Sequence, residues 1–206
     1  MTDTPRPHDL LWLNDSRALQ GIDALWVSEQ WKCQFPVVVR RDLSDSGLIP
    51  VGVRGVRRDQ RAAGWVAAQD IVRVATPESL ACLQTLLRSP FVSQPPVQAA
   101  IQLAQRTWPW AWGITGSAGY ALATEMPVLH AESDLDLIIR APVPVTPVAF
   151  ADWQRWVTQL PCRADTQVET PFGAFSLTEW LRDGRVLLKT NRGPLRVGDP
   201  WCREDA

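Results

Sequence analysis

Short apolar runs separated by turn residues occupy the first third of the chain. They lie at residues 10–13, 24–27, 36–39, 48–53 and 64–67, and β-branched residues dominate the middle runs. Such residues favour extended backbone because their side chains pack well on a pleated surface. The pattern therefore predicts a small N-terminal unit that is mainly strand, and it leaves the fold of that unit open.

Helical and strand patterns alternate in the remainder of the chain. A helix is expected from Pro77 to about residue 88, because Thr76 can cap it and proline suits the first helical position. Apolar residues at positions 97, 100, 101 and 104 have helical spacing and predict a second helix over 97–107. Strands are then expected at 110–114, 135–140, 163–169 and 186–189, helices at 118–124 and 148–160, and a hairpin-like tail at the end.

This order of elements predicts an α+β protein with two domains. Residues 1–78 would form a small, mainly β domain that binds the substrate or a partner. Residues 79–206 would form a catalytic domain with a mixed sheet and helices.

Composition and charge exclude several classes of function. The 206 residues carry a formal net charge of −1, which provides no general attraction to nucleic acid. No apolar run is long enough to span a bilayer, and the N-terminus lacks the apolar stretch of a signal peptide. The four cysteines are widely spaced and form no disulfide or zinc pattern. We expect a cytoplasmic protein with reduced thiols.

Two carboxylates stand at the start of the predicted strand at 135–140. Asp134 and Asp136 are separated by one residue, so their side chains should project from the same face of the strand. Two acidic groups beside an apolar strand are unfavourable unless a cation compensates them. Mg²⁺ suits this position because it binds oxygen ligands, typically one or two carboxylates together with substrate phosphates and water.

A glycine-serine turn precedes this pair in the chain. Gly116 and Ser117 close one predicted strand and open a helix, where backbone N–H groups and the helix dipole favour a phosphate. Gly116 would let the backbone approach the ligand, and Ser117 adds a hydroxyl donor. Either feature alone is common in proteins of unrelated function. Their combination on neighbouring elements is more specific.

The segment from Gly116-Ser117 to Ser133-Asp134-Leu135-Asp136-Leu137 resembles the motif of the nucleotidyltransferase superfamily, which includes DNA polymerase beta and aminoglycoside nucleotidyltransferases. The resemblance implies that Gly116 and Ser117 hold the leaving phosphates and that the aspartate pair binds a divalent metal. It also implies that residues 79–206 form a nucleotidyltransferase-like catalytic domain and that a third carboxylate lies on a later strand. Asp165 matches that position best, and Glu169 is an alternative because it has the same strand parity.

Within that superfamily, the chain is similar to the phosphoribosyl-dephospho-CoA transferases of malonate decarboxylase, also called malonate decarboxylase holo-acyl-carrier-protein synthases. The matching blocks are residues 8–12, 36–41 and 47–55, Arg58 with Gln60 and Arg61, and the segments 115–119 and 133–137. The N-terminal blocks narrow the superfamily to this family.

The family resemblance implies a defined reaction with Mg²⁺ or Mn²⁺. The substrate would be 2′-(5″-triphosphoribosyl)-3′-dephospho-CoA, and its phosphoribosyl-dephospho-CoA group would pass to a serine of the apo acyl-carrier subunit, with release of pyrophosphate. Asp134 and Asp136 would hold the metal, and Asp165 would bind metal or accept the serine proton. Two alternatives stay open: a nucleotidyltransferase that uses an ordinary nucleoside triphosphate, and a non-catalytic scaffold that binds the carrier.

Basic residues outside the motif are further candidates for phosphate binding. Arg58 and Arg61 belong to the densest arginine segment of the chain, and guanidinium groups suit bidentate contact with phosphate. The same arginines would serve equally well as an ordinary solvated surface or as a docking surface for an acidic carrier. Lys189 follows an apolar strand and is a weaker candidate, since such a lysine often only extends to solvent.

Overall fold

A computed structural model describes residues 4–55, 57 and 59–202 of the chain. The chain forms two compact units, Met1–Thr76 and Pro77–Ala206. Helices and mixed or antiparallel sheets are both present, which confirms the predicted α+β class. No helix within the described ranges has the length and apolar character needed to cross a membrane.

A five-stranded antiparallel sheet forms the N-terminal unit. Its order is β4-β3-β2-β1-β5. Side chains of β3 alternate between buried and half-buried positions, as expected for a strand with one face on a core. The elements are β1 (Leu10–Leu13), α1 (Leu25–Gln30), β2 (Val37–Val39), β3 (Ile49–Arg54), β4 (Arg61–Val66) and β5 (Ile71–Ala75).

One apolar run of this unit is helical, which corrects the mainly strand prediction for residues 24–27. Most of that run lies in α1, where the backbone N–H of Trp31 donates to the carbonyl of Val27 at 3.0 Å. Val27 and Trp31 are four residues apart and both are buried, so one side of a helical turn covers the sheet core. A four-residue apolar run does not reveal this spacing.

The C-terminal unit has a six-stranded mixed sheet of order β11-β10-β9-β8-β7-β6. Its β7 and β8 are parallel, and the other neighbouring strands are antiparallel. The strands are β6 (Ala111–Ile114), β7 (Leu135–Arg140), β8 (Ala164–Thr170), β9 (Gly173–Ser176), β10 (Val186–Thr190) and β11 (Gly193–Val197). The helices are α2 (Pro77–Leu80), α3 (Leu83–Arg88), α4 (Pro95–Ala104), α5 (Gly116–Thr124), α6 (Pro147–Val157) and α7 (Leu177–Asp183).

Helices cover the two faces of this sheet. On one face α6 and α7 enclose an aromatic core, in which the buried Trp153 donates its indole N–H to the hydroxyl of Thr166 at 3.0 Å. On the other face α2 packs on β6, and α4 and α5 pack on β7. Asp136 and Arg140 belong to this second face, because they share the strand parity opposite to Leu135 and Leu137.

The structure confirms β7 at residues 135–140 and shifts most other predicted boundaries by a few residues. The single helix predicted from Pro77 to residue 88 is instead two helices, because Cys82 takes an extended conformation between α2 and α3. The sequence interpretation did not include β9 or α7. The start of α7 carries a capping signal, since the Ser176 hydroxyl accepts the backbone N–H of Glu179 at 3.4 Å.

Arg140 anchors the second face at the far end of β7. Its guanidinium forms ion pairs with Glu78 of α2, at 2.7 Å, and with Glu169 of β8. All three side chains are largely excluded from solvent, so the arginine joins a helix to two parallel strands. Removing one member of such a network would leave buried charge uncompensated.

Gly113 permits the close approach of α2 to β6. A methyl group on Gly113 would overlap the backbone of Pro77 at the start of α2. We expect Gly113→Ala to lower the free energy of unfolding by about 1–3 kcal/mol, the usual effect of overfilling a packed contact. Gly198→Ala is the matched control, because no atom lies within 4 Å of the added carbon. Equal denaturant midpoints for the two variants would contradict this account of the contact.

Candidate active site

β7 carries the predicted aspartate pair. Leu135 and Leu137 are buried, whereas Asp136, between them, is half-buried on the second face of the sheet. Asp134 lies immediately before the strand and is exposed. Ser133 closes the preceding turn, since its hydroxyl accepts the backbone N–H of His130 at 3.0 Å. The burial of the leucines therefore sets the direction in which Asp136 points.

Asp165 is the cross-strand neighbour of Asp136. The parallel pairing of β7 with β8 sets the two residues in register, and paired strands are about 4.8 Å apart. Asp165 is exposed, and one of its carboxylate oxygens lies 3.0 Å from a guanidinium nitrogen of Arg163. The sheet thus brings together three predicted residues that are separated in sequence by up to 31 positions, from Asp134 to Asp165.

The carboxylates influence one another electrostatically. Burial raises the pKa of Asp136, and the negative charges of Asp134 and Asp165 raise it further, while Arg163 acts in the opposite direction. Burial, followed by the charge of Asp134, also raises the pKa of the nearby Cys162 thiol. This end of the sheet is therefore a region of negative potential, in which a cation would be stabilised.

The Gly116 turn is packed against this carboxylate. Gly116 has a φ of +62°, and a methyl group there would overlap the carboxylate of Asp136. The backbone N–H of Thr115 donates to the carbonyl of Asp136 at 2.9 Å, which holds the turn on β7. The start of α5 and the aspartate cluster are consequently one site.

The first turn of α5 begins beside the carboxylates. The hydroxyl of Thr115 donates to the Asp136 carbonyl at 3.4 Å and makes no hydrogen bond to the helix backbone. Ser117 is half-buried in the first turn of the helix. The N–H groups at a helix start have no partner within the helix, so this turn can donate to an anion.

The structure places Glu169 and Lys189 away from this cluster. Registers across four strands align Arg140, Glu169, Ala174 and Lys189 in one row. That row lies four residues, or about 13 Å, along the strands from Asp136 and Asp165. Glu169 is paired with Arg140, and Lys189 is exposed three strands from β7. The predicted contact of Lys189 with phosphate at the cluster is therefore not supported by its position.

The arginine segment belongs to the N-terminal unit. Arg61 is exposed on β4 and pairs in register with Arg54 of β3. Arg58 lies outside the described residues. The neighbouring Arg57 forms an exposed ion pair, in which its guanidinium lies 2.6 Å from the carboxylate of Asp59. A role of Arg58 and Arg61 in phosphate binding stays a prediction.

Arg163 was not identified from the sequence. It lies two positions before Asp165, and in a strand that spacing places two side chains on the same side. This signal is weak on its own, because the chain has other arginines two positions from an aspartate, such as Arg17 and Asp15. The register of β8 with β7 is what gives Arg163 a place beside the site.

Among the described residues, no three His, Cys, Asp or Glu side chains are gathered closely enough to hold a metal ion by themselves. The donor set at the cluster consists of carboxylate oxygens, which are the ligands that Mg²⁺ and Mn²⁺ prefer. Burial and, after it, the charges of Asp134 and Asp165 raise the pKa of Asp136, and a cation would stabilise its ionised form. The residues thus fit a divalent metal that is shared with further oxygen ligands.

Comparison with known proteins gives matches over nearly the whole chain. The model of the phosphoribosyl-dephospho-CoA transferase MdcG N-terminal domain matches residues 6–77, and that of the MdcG C-terminal domain matches residues 80–200. A phosphoribosyl-dephospho-CoA transferase of Klebsiella pneumoniae is 64% identical over 100% of both chains. Proteins of the same name are 41% identical in Pseudomonas putida strain GB-1 (98% of each chain) and 42% identical in Azotobacter vinelandii strain DJ (96% of this chain, 94% of the relative). No solved structure matches the chain.

The contact of Gly116 with Asp136 can be separated from backbone strain by a pair of variants. Gly116 and Gly184 have nearly the same φ, +62° and +65°, but only Gly116 has a close neighbour. A left-handed backbone disfavours alanine by roughly 1–2 kcal/mol at either position. Gly116→Ala should lower the free energy of unfolding by about 1 kcal/mol more than Gly184→Ala, because the methyl group also displaces the carboxylate. Equal losses in denaturant unfolding would refute the contact.

The charge of Asp136 should oppose folding at neutral pH. Its folded-state pKa is raised above the ordinary value of 3.8, so the folded protein binds the proton more tightly than the unfolded chain. In metal-free buffer at pH 7, Asp136→Asn should therefore be at least as stable as the parent. The difference should vanish as the pH falls below about 3.8, where the carboxyl is protonated in both states.

Asp152→Asn is the control for this pH series, because Asp152 is exposed on α6 and pairs only with the exposed Arg155 among the ion pairs described here. Thermal unfolding at several pH values measures both variants. A clear loss of stability in Asp136→Asn at pH 7 would mean that the carboxylate is a structural group.

Proposed function

The chain belongs to the phosphoribosyl-dephospho-CoA transferase family, and on that premise we propose that it transfers phosphoribosyl-dephospho-CoA to a serine of an apo acyl-carrier subunit of malonate decarboxylase. The donor is 2′-(5″-triphosphoribosyl)-3′-dephospho-CoA, and pyrophosphate is released. The observation that carries this proposal is the packing of the Gly116 turn on Asp136, directly opposite Asp165.

The proposal assigns the divalent cation to the three carboxylates. Asp134, Asp136 and Asp165 would hold Mg²⁺ or Mn²⁺, with phosphate oxygens and water completing the ligand shell. When bound, such an ion neutralises charge that develops on the transferring phosphate. The raised pKa of Asp136 supports this assignment, because burial and, after it, the charges of Asp134 and Asp165 disfavour the ionised carboxylate, and a cation would offset both effects.

The protein groups would direct an in-line substitution at the α-phosphorus. The serine oxygen of the carrier forms a bond to that phosphorus as the bond to the pyrophosphate oxygen breaks. The serine proton passes to a carboxylate of the cluster, for which the exposed Asp165 is the accessible candidate. Amide groups at Gly116 and Ser117, with the Ser117 hydroxyl, would orient the leaving pyrophosphate.

The N-terminal unit would bind a ligand or partner of the reaction, and the protein would act in the cytoplasm. We assign the N-terminal unit to substrate or carrier binding, since the arginines of β3 and β4 suit either phosphates or an acidic protein surface. A cytoplasmic location agrees with the described chain, in which no disulfide joins any of the four cysteines.

The direct test is to incubate the full-length protein with the apo carrier subunit, Mg²⁺ and the triphosphoribosyl donor, and then to weigh the carrier. We expect a mass gain equal to one phosphoribosyl-dephospho-CoA group on a single serine. No gain would refute the proposal. A gain that requires an ordinary nucleoside triphosphate would identify a general nucleotidyltransferase, and carrier binding without any adduct would identify a scaffold.

Asp134→Asn should reduce the transfer rate by at least about a hundredfold, because metal stabilisation of phosphate charge contributes several kcal/mol to the transition state. Initial rates measured by carrier mass are the readout, and Asp152→Asn serves again as the control. Transfer at the parent rate in Asp134→Asn would remove this carboxylate from the mechanism.

A further inference from the structure

Arg163 lies beside the carboxylate cluster and has a fixed backbone position there. Its carbonyl accepts the backbone N–H of Leu135 at 2.9 Å, so the residue is tied to β7 between the two aspartates of the motif. One guanidinium nitrogen lies 3.0 Å from a carboxylate oxygen of Asp165. The side chain therefore occupies an oxygen that a cation at the cluster would use.

The Arg163–Asp165 pair is easily broken. The two side chains are 78% and 51% exposed, and exposed ion pairs contribute little to stability. A guanidinium can bind phosphate through two parallel hydrogen bonds, whereas Arg163 donates a single hydrogen bond to Asp165. A phosphorylated ligand at the Gly116 turn would thus compete well with Asp165 for Arg163.

The chain has another arginine that pairs with an aspartate two positions away, but not beside the carboxylate cluster. Arg17 lies 2.7 Å from Asp15, again two positions apart and exposed. Asp15 is on the N-terminal unit, away from the aspartate motif in the chain, whereas Asp165 is the neighbour of Asp136. The positive charge of Arg163 also acts to lower the pKa of Asp136, which offsets part of the opposite effect of the other carboxylates.

We propose that Arg163 is a phosphate-binding residue of the donor site, which Asp165 holds in place until a cation and the donor's triphosphate arrive. Asp165 would then give the cation the oxygen that it had shared with Arg163, and the released guanidinium would bind the phosphate chain and balance its charge. Arg163 is then both a competitor for Asp165 and a ligand for the donor. This inference rests on the proposed function and adds the residue that recognises the triphosphate.

The two roles predict opposite effects on two ligands. In Arg163→Ala, Asp165 is released and a positive charge is lost, so Mn²⁺ alone should bind about fivefold more tightly, which corresponds to about 1 kcal/mol. Inorganic tripolyphosphate, tested in the presence of Mg²⁺, should bind about tenfold more weakly or worse, because charge-assisted hydrogen bonds are lost. Calorimetric titration of the full-length protein measures both affinities.

Two further variants control the measurement. Arg17→Ala removes an equivalent exposed pair and should change neither affinity. Arg163→Lys keeps the charge without the planar fork, so it should restore part of the tripolyphosphate affinity. In the transfer assay, Arg163→Ala should raise the Michaelis constant for the donor more than it lowers the turnover number.

The outcomes separate this inference from the proposed function. If Arg163→Ala matches Arg17→Ala, or if both affinities fall together, the role of Arg163 is refuted even when the parent modifies the carrier. If the affinities shift in opposite directions but the parent transfers nothing to the carrier, Arg163 binds phosphate and the proposed transfer reaction is wrong.

Discussion

The parallel pairing of β7 with β8 is the constraint on which the C-terminal unit depends. Two parallel neighbours need a crossover connection, and α6 provides it on the face opposite to Asp136. The crossover is held by the buried Trp153 and its hydrogen bond to Thr166 of β8. The register that follows sets two carboxylates side by side, and burial of the apolar face offsets their repulsion.

Charged side chains have different surroundings at the two ends of the second sheet face. At the far end, Arg140 is shared between Glu78 and Glu169, and buried ion pairs connect α2 with β7 and β8. At the other end, Asp136 is half-buried beside two carboxylates, and the nearby Arg163 lies in an exposed pair. Breaking a buried ion pair costs several kcal/mol, so the pairs of Arg140 suit a rigid support. Breaking an exposed pair costs about 1 kcal/mol or less, so the pair of Arg163 suits the exchange of one ligand for another.

The local pattern of apolar and turn residues was sufficient to predict the strand and the helix that carry the motif. An apolar run with Asp at its start predicted β7 correctly, and a glycine-serine turn before a helical segment predicted the start of α5 to within two residues. Local pattern was not sufficient for the helix at Leu25–Gln30, whose buried spacing involves Trp31 beyond the apolar run. The overlooked α7 had a readable signal in Ser176 and Glu179, the ends of a capping box.

Pairing between strands that are distant in sequence determines which side chains lie together at the site. Strand parity treated Asp165 and Glu169 alike, and only the register of β8 with β7 sets Asp165 opposite Asp136 and Glu169 opposite Arg140. The position of Lys189 depended on the order of the whole sheet, which no local pattern contains. Arg163 likewise gained its place from the neighbouring strand.

The fit of Gly116 against Asp136 makes these two positions depend on each other. Any side chain at position 116 collides with the carboxylate, and shortening residue 136 to make room removes the acidic group itself. Single substitutions at the two positions act on the same contact, so their effects in combination are not the sum of the two. Two positions twenty residues apart in the sequence therefore share one contact, and room for a side chain at position 116 has to be made at position 136.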